Sequence, residues 1–149
     1  MMRQRGFTLI EMLIVISIIG LLAVLITPKL LGVLGQAKRT KATQDIQTLG
    51  MAIEMYTVHN GKPPTTEQGL KALVEKTAAE PVPSRWQAGG YLKQKLVQKD
   101  PWGHEYVYVA PGLHDPDFDI LCYGADGMPG GTGDDADIES WNLEGTPAK

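Results

Sequence analysis

Cysteine is almost absent. Cys122 is the single one in 149 residues, which excludes an intrachain disulfide and a cysteine-based zinc site. Standing in an apolar stretch, it reads as a small core residue. Histidine is scarce as well. His59, His104 and His114 share no metal-ligand spacing, and no nucleophile with a base and an orienting group emerges around them, so a catalytic reading finds no footing. Basic charge is missing where it would be most useful: Leu113 to Glu144 holds nine Asp or Glu and no Lys or Arg. Over the whole chain 17 acids face 14 bases for a net charge of −3, so the clustered basic excess of a nucleic-acid binder is not there. At the other end, Arg3 and Arg5 are the only charges ahead of a long apolar run. The length suits one domain and not two. A chain polarised in this way is built for regions with different solvents, not as a uniform soluble globule.

The apolar run extends from Phe7 to Ile26, twenty residues in which only Thr8, Glu11 and Ser17 are polar. At about 1.5 Å per residue such a helix is roughly 30 Å long, the thickness of a bilayer's hydrocarbon core. Arg3 and Arg5 would hold the N-terminus in the cytoplasm and send the rest across. No ordinary signal-peptide cleavage site directly follows the run. The small-x-small triplet Gly35-Gln36-Ala37 lies further on, but a domain secreted by a cut after Ala37 would leave Glu11 and the Gly6-Phe7 junction unexplained. A carboxylate at the centre of a membrane helix costs about 2.5–3.5 kcal/mol and less near the interface. Glu11 therefore either snorkels to the headgroups or meets a cation. Cleavage after Gly6 would supply one, the free amine of Phe7. In a staggered assembly that amine could neutralise Glu11 of a neighbouring subunit.

Gly6-Phe7-Thr8-Leu9-Ile10-Glu11, with its short basic leader and the apolar run behind it, resembles the processing and assembly motif of type IV pilins and of the pseudopilins of type II secretion. The resemblance implies that a membrane prepilin peptidase removes residues 1–6 after Gly6 and N-methylates Phe7. It also implies that Glu11, fifth in the mature chain, guides subunit docking. Pro28 falls where members of that superfamily often carry a helix-kinking proline.

Beyond Pro28, Ala42, Ile46, Leu49, Ile53 and Tyr56 recur at alternating spacings of 4 and 3, the period of one helical face. Asn60-Gly61 and Pro63-Pro64 then stop the helix. The pattern predicts one helix from about Phe7 to His59, roughly 80 Å if straight. Its first half is apolar all round and its second half amphipathic, the stripe packing on the chain's own globular part. Thr65 with Gln68 resembles a capping box and predicts a second helix over about Thr66–Lys76. Residues 77–90 read as loop. Asp100-Pro101-Trp102-Gly103 carries a type I turn signal. Glu105–Val109, Asp117–Tyr123 and Ile138–Trp141 read as short strands, which favours a small antiparallel sheet laid against the helix. Helix, loop and then sheet is the pilin order, and the Pro-Trp-Gly turn resembles its pseudopilin version.

The stretch Asp126–Asp137 is too rich in glycine for a regular element and holds four carboxylates with no base among them. Hard oxygen donors on a loop, completed by backbone carbonyls, are what Ca²⁺ takes. A solvated acidic turn is the plainer reading of the composition alone. An EF-hand on Asp115, Asp117, Asp119 and Asp126 fails, because Ile120 stands where the loop needs glycine. The major pseudopilins carry a Gly-x-Asp-Gly turn followed by paired Asp, which Gly124-Ala125-Asp126-Gly127 and Asp134-Asp135 match, and their loop binds Ca²⁺. The resemblance thus implies Asp126, Asp134 and Asp135 as side-chain ligands and the Tyr123 and Met128 carbonyls as weaker candidates. Asp137 is a substitute for one of the pair.

The expectation is an α+β chain with a membrane-spanning first helix half, a small antiparallel sheet and a calcium-binding C-terminal loop. Its parts are a leader (1–6), a transmembrane and filament-core helix (7–28) and a periplasmic pilin-like domain (29–149). The resemblance implies no enzyme but a filament subunit, anchored by a single pass in the bacterial inner membrane until it joins a periplasmic helical homo-oligomer. Its implied partners are minor pseudopilins, the prepilin peptidase, and an inner-membrane platform with its ATPase. The filament would help drive folded exoproteins across the outer membrane. A type IV pilus pilin is the rival. The absence of paired cysteines, the Pro-Trp-Gly turn and the calcium-like loop all favour the pseudopilin.

Overall fold

The computed structural model describes residues 7–143, and the side chains of residues 25–31 lie outside that description. The leader, Gly6 and the Pro28 side chain fall outside it as well. The chain divides into two compact units between Gln36 and Ala37. Helix α1 covers Leu9–Asn60, as the sequence predicts to within two residues at each end.

In the first unit every described side chain from Phe7 to Val24 is exposed, apolar ones included. Ser17 returns its hydroxyl to the Leu13 carbonyl at 2.7 Å, so it presents little polarity to its surroundings. Among the described residues no helix is long and apolar enough to cross a membrane.

In the second unit the stripe on α1 is the core. Ala42, Ile46, Leu49, Ile53 and Tyr56 are all buried, joined by Ala52. Gly61, at φ 86°, sits just past the last helical residue and donates its N–H to the Thr57 carbonyl at 2.7 Å, the cap that a left-handed glycine provides. Strands β1 (Val107–Val109), β2 (Asp119–Cys122) and β3 (Ile138–Glu139) form an antiparallel sheet in the order β1-β2-β3. All three lie inside the predicted stretches and are shorter. Tyr108, Ile120, Cys122 and Ile138 bring the sheet's buried face into the same core as the helix stripe. The Tyr106 hydroxyl donates to Asp45 at 3.1 Å, and the Tyr108 hydroxyl donates to the Pro64 carbonyl at 2.6 Å.

The second helix is a correction. The capping box forms as expected, with the Gln68 N–H on Thr65 Oγ1 at 3.2 Å and the Thr65 N–H on Gln68 Oε1 at 3.0 Å. Gly69 follows at φ 60°, a conformation no right-handed helix continues through. Only a 3-10 turn over Leu70–Leu73 survives. Buried Gln68 spends its amide instead on the Ala79 and Pro81 carbonyls, which ties down the loop over residues 77–90.

Cys122 is the core residue expected of it. Its Sγ donates to Asp100 Oδ2 at 3.2 Å, and burial, aided by that hydrogen bond, pushes the thiol up to about 12. The turn at Asp100–Gly103 also forms. Asp100 Oδ1 accepts the N–H groups of Trp102, Gly103 and His104 at 2.7–3.0 Å.

Candidate functional site

Two places carry the residues singled out from the sequence, one in each unit. At the start of α1, Glu11 Oε2 accepts both the Thr8 N–H at 2.8 Å and the Thr8 hydroxyl at 2.9 Å, while the Glu11 N–H lies 3.3 Å from Thr8 Oγ1. This is a capping box, Thr-x-x-Glu ahead of an apolar run. Thr8 and Glu11, three residues apart ahead of the apolar run, carry that signal in the sequence, beside the snorkelling and docking readings of Glu11. Both bonds end on Oε2, and Oε1 takes no hydrogen bond among the described residues. Phe7, adjoining the cap, is exposed.

The acidic loop lies between β2 and β3 and is stitched at its base. The Ala125 N–H donates to the Asp134 carbonyl at 2.9 Å. Gly124 stands at φ 66°, where an added Cβ would come within 2.8 Å of the Asp134 and Asp135 carbonyl oxygens. Asp126 is exposed and folds back to accept the Met128 N–H at 3.0 Å. Asp134 and Asp135, also exposed, form the 3-10 turn Gly133–Asp135. Arg39 of α1 donates Nη1 to the Gly133 and Ala136 carbonyls at 3.1 and 2.6 Å. His104 packs its ring beneath Gly127, where a Cβ would lie 2.9 Å from Nε2.

Asp137 differs from the other carboxylates. Its Oδ2 accepts the Gly130 N–H at 2.9 Å, but its Oδ1 is buried and finds no donor among the described residues. A buried carboxylate oxygen without a partner is costly unless a cation meets it. The structure thus keeps Asp126, Asp134, Asp135 and Asp137 on the one loop between β2 and β3. Among the described residues, however, no three or more His, Cys, Asp or Glu side chains converge as a metal-holding group. The donor set is all hard oxygen, and with the orphaned Asp137 Oδ1 it fits a hard divalent cation. The other acidic run is already spent. Asp119 takes the N–H groups of Leu113, His114 and Asp115 and the His114 ring, which removes the EF-hand on structural grounds too.

Arg39 and His104 were missed from the sequence. Arg39 reaches the loop across 94 residues, a distance no local pattern encodes. The Asp100-Pro101-Trp102-Gly103 turn announced itself but did not say which way the His104 ring would face.

Comparison with known proteins covers almost the whole chain. Residues 29–141 match the family model described as type II secretion system protein G, and residues 1–27 match the prokaryotic N-terminal methylation motif. A type II secretion system core protein G from Pseudomonas aeruginosa is 46% identical over 140 residues, 94% of this chain and 96% of that one. The Vibrio cholerae core protein G is 44% identical over 144 residues, 97% and 96% of the two chains. Among solved structures, the major pseudopilin of the type 2 secretion system of enterohaemorrhagic Escherichia coli superposes with a TM-score of 0.65. It is 39% identical and covers 78% of this chain and 96% of its own.

Proposed function

The chain belongs to the type II secretion system protein G family, and from that footing we propose how its two ends serve a pseudopilus. It is a major pseudopilin, the main structural subunit of the filament that helps drive folded exoproteins across the outer membrane. The type IV pilin rival has less behind it, since the relatives and the solved structure are all of type II secretion. The role is structural: contacts between unlike surfaces of successive subunits build an open helix instead of closing a ring. One observation carries this reading. The methylation motif and the protein G region adjoin along the chain, and the helix beginning in that motif keeps its apolar side chains uncovered.

Our reading of the N-terminus is that a prepilin peptidase cuts after Gly6 and methylates Phe7. The segment 7–28 then holds the subunit in the inner membrane, with residues 29–149 in the periplasm. During assembly the uncovered apolar surface exchanges lipid for neighbouring helices, since leaving it in water would cost about 25 cal/mol per Å². The Phe7 amine of one subunit meets Glu11 Oε1 of the next, while Thr8 keeps Oε2. Minor pseudopilins, the assembly platform and its ATPase are the remaining partners of this scheme.

For the loop we propose a Ca²⁺ site. Asp126, Asp134, Asp135 and Asp137 would supply carboxylates, and Tyr123 and Met128 would supply carbonyls. Bound there, the ion cancels the mutual repulsion of carboxylates that have no base among them. The chain's own residues hold the loop in shape: Arg39 clamps two of its carbonyls, the Ala125–Asp134 bond closes its base, and His104 supports it from below. Support for the site comes from the buried, unpartnered Asp137 Oδ1.

The test is assembly of the full chain in a cell supplying the peptidase and platform. Filaments visible by electron microscopy, lost when Gly6 is replaced so that the leader stays on, are expected. Equal assembly by the uncut chain would overturn the reading.

A further inference from the structure

Helix α1 is thinly held where it enters the second unit. Residues 37–41 bury no apolar side chain: Ala37, Lys38, Thr40 and Lys41 are exposed, and the core begins at Ala42. A stretch with so few buried contacts opens at low cost, so what holds this turn to the rest of the unit is polar. Arg39, half-buried, reaches from it to the acidic loop. Its Nη1 donates to the Gly133 carbonyl at 3.1 Å and to the Ala136 carbonyl at 2.6 Å. Those two residues bracket Asp134 and Asp135, and Asp137 follows directly on Ala136. The choice of acceptor is informative. A guanidinium among carboxylates gains most by pairing with one of them, because a charged acceptor makes the stronger bond. Among the described residues Arg39 forms no ion pair. It grips the backbone on either side of the acids and leaves their oxygens to another cation.

Resting on the calcium reading above, we propose that Arg39 is a positioning residue for that site and that, through it, the bound cation stiffens the start of α1 in the second unit. By fixing the carbonyls on both sides of the pair, Arg39 sets the backbone from which the Asp134 and Asp135 carboxylates extend. Less ordering is then left for the ion to impose. Two effects of Arg39 on the ion oppose each other. Its charge repels a divalent cation, while its two hydrogen bonds shape the loop to receive one. The carboxylates of Asp126, Asp134 and Asp135 are exposed, so salt and water blunt the repulsion and the shaping wins. The coupling runs both ways, as linkage requires. With the ion bound, the loop's backbone is fixed, both carbonyls stay aimed at Nη1, and residues 37–43 open less often. Without it the clamp rests on a loop whose carboxylates repel one another, and the turn loosens as far as Ala42, where burial takes over.

The experiment is hydrogen–deuterium exchange on the full chain in detergent micelles, with calcium and with chelator, beside a calorimetric titration of Ca²⁺. In the parent, calcium should slow exchange several-fold both in the loop and at residues 37–43. Arg39→Gln should raise the calcium dissociation constant several-fold, although it removes a repelling charge. At saturating calcium that variant should keep the slowing in the loop and lose it at 37–43. Lys38→Gln removes a like charge one residue away, from a side chain whose Nζ lies over the Trp102 ring at 6.0 Å, and should bind calcium at least as tightly as the parent. Should Arg39→Gln not fold, Arg39→Lys is read in its place with the same expectations, because it keeps the charge and loses the planar guanidinium. An Arg39 variant that binds calcium as well as the parent overturns the positioning role. So does Lys38→Gln if it weakens binding equally. A parent slowed in the loop but not at 37–43, or slowing there that survives the Arg39 substitution, overturns the coupling. Each of these results leaves the calcium site standing. A parent with no calcium response in either measurement overturns the site and this inference together.

Discussion

Asp137 and Gly130 are joined by one bond where the geometry has room for more: the Gly130 N–H meets Oδ2 at 2.9 Å, and Oδ1 stays buried with no donor among the described residues. That asymmetry gives the calcium proposal a signature. With Ca²⁺ present, Asp137→Asn should weaken the metal-dependent rise in melting temperature of the unit from Ala37 onward. In chelator the same substitution should be neutral or stabilising, because it removes an uncompensated buried charge. A site saturated at a hundred times its dissociation constant adds about 2.7 kcal/mol, several degrees at this size. Calorimetry with calcium, magnesium and chelator reads all three. Equal destabilisation in every buffer would make Asp137 a purely structural acid.

Thr8 and Glu11 separate two roles that overlap on one carboxylate. Thr8→Ala removes the hydroxyl and costs the helix start about 0.5–2 kcal/mol, yet it leaves the Glu11 charge for a neighbour. Glu11→Leu removes both. Membrane fractionation should find both variants inserted. Electron microscopy should find assembly largely kept in Thr8→Ala and impaired in Glu11→Leu. Normal filaments from Glu11→Leu would count against the pairing of Phe7 amine with Glu11.

What was legible in the sequence was periodic or local. The stripe from Ala42 to Tyr56 is buried at every position because a 3.6-residue period leaves a helix little choice of face. The Asp100 turn and the Thr65–Gln68 box formed because their bonds span only a few residues. The second helix failed because Gly69 takes a positive φ that outweighs a correct cap. At the loop, composition marked the acids and resemblance suggested the ion. That Asp137, and not Asp134 or Asp135, holds the orphaned oxygen depends on how β3 enters the sheet and on Arg39 clamping from a distant helix. Non-local contacts of that kind leave no local trace.

Acid should weaken the fold through Asp119. Burial works to raise its carboxyl, but hydrogen bonds from the backbone N–H groups of His114, Asp115 and Leu113, with the His114 ring, outweigh it and hold the group below the usual carboxylate range. A group whose folded value is depressed contributes stability that is full above its unfolded value, about 3.9. That stability drains away as pH falls through the lower folded value. Asp119→Asn should cost about 1–3 kcal/mol at neutral pH, since an amide cannot accept all of these donors. It should also flatten the acid limb of a stability-against-pH curve below about pH 4. Parallel curves for parent and variant would place the acid sensitivity elsewhere. Trp141, stacked on the His114 ring at 3.8 Å, offers a fluorescence reading of the same transition.

Gly124 and Gly133 allow backbone strain and crowding to be told apart. Their φ angles are nearly equal, 66° and 65°, so alanine at either meets a similar left-handed penalty of about 1–2 kcal/mol. Their surroundings differ. A Cβ on Gly133 meets nothing within 4 Å, while one on Gly124 comes within 2.8 Å of two backbone carbonyl oxygens. Backbone cannot swing aside as a side-chain end can, so Gly124→Ala has to open the Ala125–Asp134 closure as well. Denaturant unfolding should therefore show Gly124→Ala losing more than Gly133→Ala. The excess should be larger with calcium than in chelator, because the carbonyls pushed apart belong to Asp134 and Asp135, whose carboxylates are proposed ligands. Equal losses would mean that the loop's base yields freely and that its shape is set by Arg39 and His104 instead.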